Sequence, residues 1–88
     1  MKTIWKFALS VGRTEISVPR GSELLSVQEQ HKKATIWVLV PDEAQMETRT
    51  FLGFMTGQTI DTDKTLTFID TVQLDDGHFV LHIFEEKS

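Results

Sequence analysis

Short runs of alternating apolar and polar residues, each closed by a turn signal, fill almost the whole chain. The clearest case is the pair LTFIDTVQL and HFVLHIFEE, which Asp75-Asp76-Gly77 connects. Alternation with a period of two is typical of strands with one buried face, and Asp-Gly between two such runs predicts a hairpin. The sequence therefore predicts an all-β domain: a small antiparallel meander that forms a sandwich or a partly open barrel.

The same pattern predicts the remaining strands at residues 2–9, 14–18, 23–30, 35–40 and 46–56. Because TIWVLV at 35–40 is apolar on both faces, it predicts a central strand covered on both sides. We expect Leu25 and Val27 to point inward, and Gly53 to mark a bulge or bend. At most one helical turn is expected, at residues 41–45, because proline is tolerated at the first helical position.

The length of 88 residues leaves room for a single domain, 1–88, with one thin core. A ligand site is therefore expected to be shallow or shared between subunits. The absence of cysteine excludes disulfides, cysteine metal sites and cysteine nucleophiles, and it suits a reducing cytosol. The apolar run at the start is too short and too interrupted for a signal peptide or a membrane span. We expect a soluble cytoplasmic protein that makes no membrane contact.

The charge distribution argues against broad nucleic-acid binding. The net charge is −4, whereas binding to a phosphate backbone needs a basic face. The basic cluster His31-Lys32-Lys33 lies between two predicted strands. We interpret it as the polar tip of a hairpin.

Motifs for catalysis, metal binding and cofactor binding are missing from the sequence. It contains no G-x-S-x-G, P-loop or G-x-G-x-x-G pattern. His78 and His82 share one face of a predicted strand, but they would lie about 13 Å apart, too far to chelate one metal together. Asp75 and Asp76 are explained by turn chemistry. We therefore expect no enzyme activity, no metal and no cofactor.

The aromatic side chains outnumber the inward positions of a thin core, so some must cover a second face, an interface or a ligand. Arg49 is an arginine inside a predicted strand; it forms either a surface ion pair or a partner contact, since arginine pairs bidentately and stacks. We expect a binding surface that contains Arg49 and Trp37. The full set of candidate binding residues is Trp5, Arg20, Trp37, Arg49, Gln58 and His82. The surplus of apolar strand positions also predicts a homo-oligomer, with a dimer favoured.

Several segments carry a family resemblance, in order: MKTIWKF, VPRGSELLSVQEQ, WVLVPDEAQMETRTF, the pair Thr56-Gly57 and VLHIFE. Together they resemble a family of small uncharacterised proteins from tailed phages, prophages and bacterial genomes, which carry a domain of unknown function. In that pattern a histidine follows the Thr-Gly pair and a glycine precedes the threonine of TVQL. Here Gln58 and Asp70 occupy those places. If the family's function depends on that histidine, this member has lost or changed it.

Three functional hypotheses follow. The first is a non-enzymatic, phage-linked accessory protein that binds a host or phage component, for example to inhibit a host defence or regulatory protein. The second is an oligomer that sequesters a small nucleotide-like signal, with aromatic rings on the base and Arg49 or Arg20 on the phosphate. The third is a structural component of a virion or of its assembly.

Overall fold

The computed structural model describes residues 1–87, in which seven strands account for most of the chain. The strands are β1 (Lys2–Leu9), β2 (Gly12–Pro19), β3 (Glu23–Gln30), β4 (Lys33–Pro41), β5 (Met46–Met55), β6 (Thr65–Leu74) and β7 (Phe79–Lys87). One short 3-10 helix, Asp75–Gly77, forms the β6–β7 turn. These elements confirm the prediction of an all-β fold.

The strands form two antiparallel sheets that pack as a sandwich. Sheet A has the order β1-β4-β3, and sheet B has the order β2-β5-β7-β6. Among successive strands, only β3–β4 and β6–β7 are hydrogen-bonded neighbours within the described residues. The strand order is therefore not that of a simple meander. Because the chain passes between the sheets at most other connections, residues far apart in sequence meet across the core.

The core lies between the two sheets, and β4 supplies a large share of it. Strand β4 is the middle strand of sheet A, which confirms the central position predicted for residues 35–40, but its outer face is only half-buried. The inward side chains are fully buried, and Ile36 and Val38 are among the most buried in the protein. Trp37 lies half-buried on the opposite face of the same strand. The buried apolar residues are Leu9, Ile16, Val18, Val27, Ala34, Ile36, Val38, Val40, Phe51, Val72, Leu81 and Ile83.

Of two turns predicted from the sequence, the structure confirms one and contradicts the other. Asp75, Asp76 and Gly77 all have positive φ, and they close the predicted β6–β7 hairpin. The prediction of a helical turn at residues 41–45 is wrong. Strand β4 continues through Pro41. The backbone N–H of Arg20 donates to the Gln45 carbonyl at 2.8 Å, which holds this segment against the neighbouring turn.

A β-bulge reverses the expected orientation of Leu25. The pairing of β3 with β4 shifts between Leu24 and Ser26, so that Leu24 packs on the core and Leu25 is 48% exposed. An extra residue in one strand moves its side chain to the other face of the sheet. The expectation that Leu25 points inward is therefore wrong, whereas Val27 is buried as expected.

Gly53 is required for close packing and does not mark a bulge. Strand β5 pairs with β2 up to this position and with β7 through it, in continuous register. A Cβ atom at Gly53 would lie 2.6 Å from the backbone oxygen of Ser10 and 3.2 Å from Leu81. The β1–β2 connection therefore packs directly on the Gly53 backbone.

Gly53→Ala should lower the unfolding free energy by about 1–3 kcal/mol, because the added methyl group would force Ser10 or β5 to move. Urea unfolding followed by tryptophan fluorescence measures the change. Thr48→Ala, at an exposed position on the same strand, is the control and should cost under about 0.5 kcal/mol. A Gly53→Ala protein as stable as the wild type would show that the close approach relaxes without cost.

Candidate functional site

Arg49 and Glu85 form an ion pair on the inner face of sheet B. The guanidinium donates from Nε to Glu85 Oε2 at 2.6 Å and from Nη2 to Glu85 Oε1 at 2.7 Å. Its Nη1 donates to the backbone carbonyl of Ser22 at 2.9 Å. Only 17% of the Arg49 side chain and 6% of the Glu85 side chain are exposed. Since Ser22 precedes β3 of sheet A, this pair connects the two sheets.

The electrostatics of the pair follow from its burial and its geometry. Burial alone would raise the pKa of Glu85, but the hydrogen bonds and the charge of Arg49, helped by Lys87, outweigh burial and leave that pKa below its ordinary value. The bond to Glu85 raises the pKa of Arg49 despite its partial burial. Both groups are therefore charged at neutral pH, and each satisfies the other.

Most charges of this region are already paired, which makes it a poor anion site. An open groove of about 510 Å³ runs past Arg49. Within it, Arg13 bonds Glu86 at 2.8 Å, and Lys87 lies 3.3 Å from Glu85. A ligand phosphate would have to displace these carboxylates. The Arg49 side chain faces Glu85, and its role as a partner contact stays a prediction.

The other sequence candidates are spread over the molecule. Trp37 lies on the outer face of sheet A, on the opposite sheet from Arg49, so the structure does not bring these two residues together. Trp5 lies on the edge strand β1 and is partly exposed. Arg20 is exposed, and its Nη1 donates to the Gln45 side chain at 3.1 Å.

A strap, residues 56–64, crosses the outer face of sheet B. Strands β5 and β6 flank β7 and run in the same direction, so the segment between them must return along the sheet. Ile60 of the strap lines a hollow of about 220 Å³ with Phe54, His82 and Phe84. Those three side chains point away from the core: His82 and Phe84 alternate with the buried Leu81 and Ile83, and Phe54 of β5 pairs with His82. All strap residues are exposed.

Gln58 and His82 meet at this hollow and hold the strap. His82 Nε2 lies 2.7 Å from the Thr56 hydroxyl, and Nδ1 lies 3.0 Å from the Thr71 hydroxyl. A neutral imidazole donates one of these bonds and accepts the other. The Gln58 side chain accepts a hydrogen bond from the Met55 backbone N–H at 3.0 Å. Of the six candidate binding residues, these are the two that share the hollow beneath the strap.

A row of phenylalanine rings lies beside the hollow; we name Phe54, Phe84 and Phe68 the aromatic row. The Phe54 and Phe84 ring centres are 5.9 Å apart, those of Phe68 and Phe84 are 5.4 Å apart, and both pairs meet edge to face. Phe68 is 55% exposed. Beyond it, a cleft of about 240 Å³ between β3 and β6 is rimmed by Leu25. An apolar surface thus extends from β5 around to β3.

Sequence reasoning expected surplus aromatic rings outside the core but did not identify the aromatic row, because it did not say which rings lie there. One signal was present in the last strand: Leu81 and Ile83 fill one face, while Val80 and Phe84 occupy the other. Two apolar faces on a strand of a thin sandwich indicate that one of them covers something outside the core.

Within residues 1–87, no group of three or more potential metal-ligating side chains lies together. In the same range, no helix is long and apolar enough to cross a membrane.

Comparison with known proteins gives a family and no function. The model of a family described as a domain of unknown function, DUF7352, matches residues 1–88. The chain belongs to this family. No curated protein and no solved structure matches it.

The structure shows the surroundings of Gln58 and Asp70, the two residues that depart from the pattern that the sequence resembles. Gln58, in place of the histidine, closes the turn at the start of the strap through its bond to Met55. Asp70, in place of the glycine, lies at the β6 bulge, and its carboxylate accepts a hydrogen bond from the Thr71 backbone N–H at 2.8 Å. Since Thr71 in turn bonds His82, both positions support the same hollow.

Proposed function

We propose that this chain is a non-enzymatic binding protein whose aromatic row and strap contact a host or phage protein. The phage connection comes from the resemblance of the ordered sequence segments. In this proposal the protein acts by occupying a surface of its target, for instance of a host defence or regulatory protein.

The observation that carries the proposal is the aromatic row on the solvent face of sheet B. Buried aromatic rings contribute strongly to interface energies, and protein–protein contact surfaces are enriched in them. Phe68 remains 55% exposed although it packs edge to face against Phe84. A partner that covers this ring would remove its apolar surface from water at about 25 cal/mol per Å².

The size of the hollow favours a protein partner over a nucleotide. Pockets for small molecules usually enclose about 300–1,000 Å³, whereas the hollow under the strap holds about 220 Å³. That volume suits a single apolar side chain inserted between Ile60 and Phe84. Most of the charges that line the larger groove near Arg49 already have partners.

The charge of the strap indicates the chemistry of the partner. The strap carries Asp61, Asp63 and Lys64, with Asp61 next in sequence to Ile60 of the hollow, and the chain carries a net charge of −4. Complementary charge at the rim of an interface selects partners and speeds association. We propose a partner segment with an apolar or aromatic anchor residue flanked by lysine or arginine.

Phe68→Ala should weaken partner binding about tenfold or more, equivalent to about 1.4 kcal/mol, because it removes an exposed ring at the centre of the surface. A protein captured from bacterial or phage-infected cell extract would first be purified. Its Kd for each variant is then measured by calorimetry. Val11→Ala, at a similarly exposed apolar residue in the β1–β2 connection, is the matched control and should leave the Kd unchanged.

Equal affinities for Phe68→Ala and Val11→Ala would contradict the proposal. Thermal melting with a panel of nucleotides gives the comparison with the ligand hypothesis. Under the proposed function none of them raises the melting temperature, whereas a gain of several degrees would favour a small-ligand site.

A further inference from the structure

Strand β1 is an edge that has neither a bulge nor a proline. It pairs with β4 along its whole length without a register shift, and no strand is hydrogen-bonded to its other side in residues 1–87. The edges β3 and β6 both carry bulges and contact each other. The edge β2 ends in Pro19 and carries charged side chains. Bulges, proline and charged side chains are the devices that block edge pairing. Strand β1 has only the third of these, and its two lysines, Lys2 and Lys6, lie on the outer face, where they restrict the register of pairing and leave the inner face uncharged.

We propose that β1 pairs antiparallel with β1 of a second copy of this chain. A two-fold axis perpendicular to sheet A would pass beside Trp5. The pairing would join the two three-stranded sheets into one continuous sheet. Such an interface is closed, because each copy uses the same strand.

Symmetry, charge and overlap together select this register. Axes at Thr3 or Phe7 also keep the lysines apart, but they pair fewer residues of β1. A two-fold axis perpendicular to the sheet places the inner faces of both copies on the same side of the joined sheet. Residues that face each other across the two β1 strands must therefore belong to the same face of β1. With Ile4 on the axis, Lys2 of each copy would face Lys6 of the other copy. With Lys6 on the axis, the Lys6 side chains of the two copies would face each other. Like charges opposite each other destabilise a sheet. With Trp5 on the axis, Ile4 faces Lys6 and Lys2 faces Ala8, so no lysine opposes another.

The exposure of Trp5 supports the same register. Its side chain is 38% exposed although it points to the inner face of the sheet. Beside it lies a hollow of about 400 Å³ lined in part by Met1, Pro19 and Met46. On the axis, the two indole rings would lie next to each other and close both hollows. This removes apolar surface from water that a single copy leaves exposed.

The test places either a positive or a negative charge at Ile4, which is 56% exposed. In the proposed register, Ile4→Lys opposes Lys6 of the partner twice, whereas Ile4→Glu forms two opposite-charge pairs. Sedimentation equilibrium should give the wild type twice the 10.1 kDa chain mass. The dimer dissociation constant of Ile4→Lys should exceed that of Ile4→Glu by about tenfold or more. A monomeric wild type at tens of micromolar, or equal constants for the two variants, would overturn the proposal.

Cross-linking tests the register without relying on charge. The chain has no cysteine, so Lys2→Cys with Ala8→Cys in one chain places new thiols directly opposite those of the partner. Within one chain these positions are about 20 Å apart and cannot bond. Mild oxidation should give a covalent dimer. Thr3→Cys with Ala8→Cys, which lie on opposite faces of β1, should not cross-link; equal cross-linking in both would overturn the register.

Discussion

Arg49→Ala should lower the unfolding free energy by about 3–5 kcal/mol, the usual cost of leaving one member of a buried ion pair behind. The truncation leaves the Glu85 side chain, only 6% exposed, without its bidentate partner. It also removes the bond from Arg49 to the Ser22 carbonyl, which connects the sheets. Urea unfolding at neutral pH measures the loss.

Two controls separate the charge effect from packing. Arg13→Ala removes a mostly exposed arginine that also pairs with a glutamate, and it should cost about 1 kcal/mol or less. Arg49→Met combined with Glu85→Leu removes both charges and should recover most of the stability lost in Arg49→Ala. If Arg49→Ala cost no more than Arg13→Ala, the ion pair would have no role in joining the sheets.

The same pair predicts the pH dependence of stability. The pKa of Glu85 lies below the ordinary value of 4.5 in the folded protein, so its contribution to stability is fully present above that value. It is lost as the pH falls through the folded pKa. The difference in unfolding free energy between wild type and Arg49→Ala should therefore shrink in acid. A difference that stays constant down to the acid limit of folding would contradict this assignment.

Ile36→Asp should abolish folding. Ile36 is fully buried at the centre of β4, with sheet A neighbours on both sides. A carboxylate there would have no partner and would cost more than the net stability of a domain of this size, which is on the order of 5–15 kcal/mol. Circular dichroism and one-dimensional proton NMR should show an unfolded chain.

Ile4→Asp makes the same change on the exposed edge strand and should keep the fold. A soluble Ile36→Asp protein that melts cooperatively would show that β4 is peripheral. That result would remove the basis for the two-sheet core.

Local sequence rules were sufficient to predict the strands and the β6–β7 hairpin. Period-2 alternation located every strand to within a few residues, and Asp-Gly located the β6–β7 turn. The same rules could not find the bulge at Leu25, because an extra residue leaves the alternation intact on either side of it. The role of Gly53 depends on the Ser10 carbonyl, which reaches it through tertiary packing.

The orientation of Arg49 was partly accessible from sequence. Arg49 shares a face of β5 with Phe51, and Glu85 shares a face of β7 with Ile83. If the two apolar residues are buried, the two charged residues must also point inward. What the sequence lacks is the strand order that makes β5 and β7 neighbours. The strap depends on the same information, since its path follows from β5 and β6 flanking β7. The candidate surface therefore became visible only with the topology.

Hydrogen–deuterium exchange of the complex with the captured partner tests the proposed binding surface most directly. The strap, residues 56–64, is exposed and crosses the face that carries the aromatic row, so its amides should exchange fast in the free protein. Binding should slow exchange across the strap and in β6 around Phe68. Slowed exchange confined to sheet A, with the strap unchanged, would contradict the account.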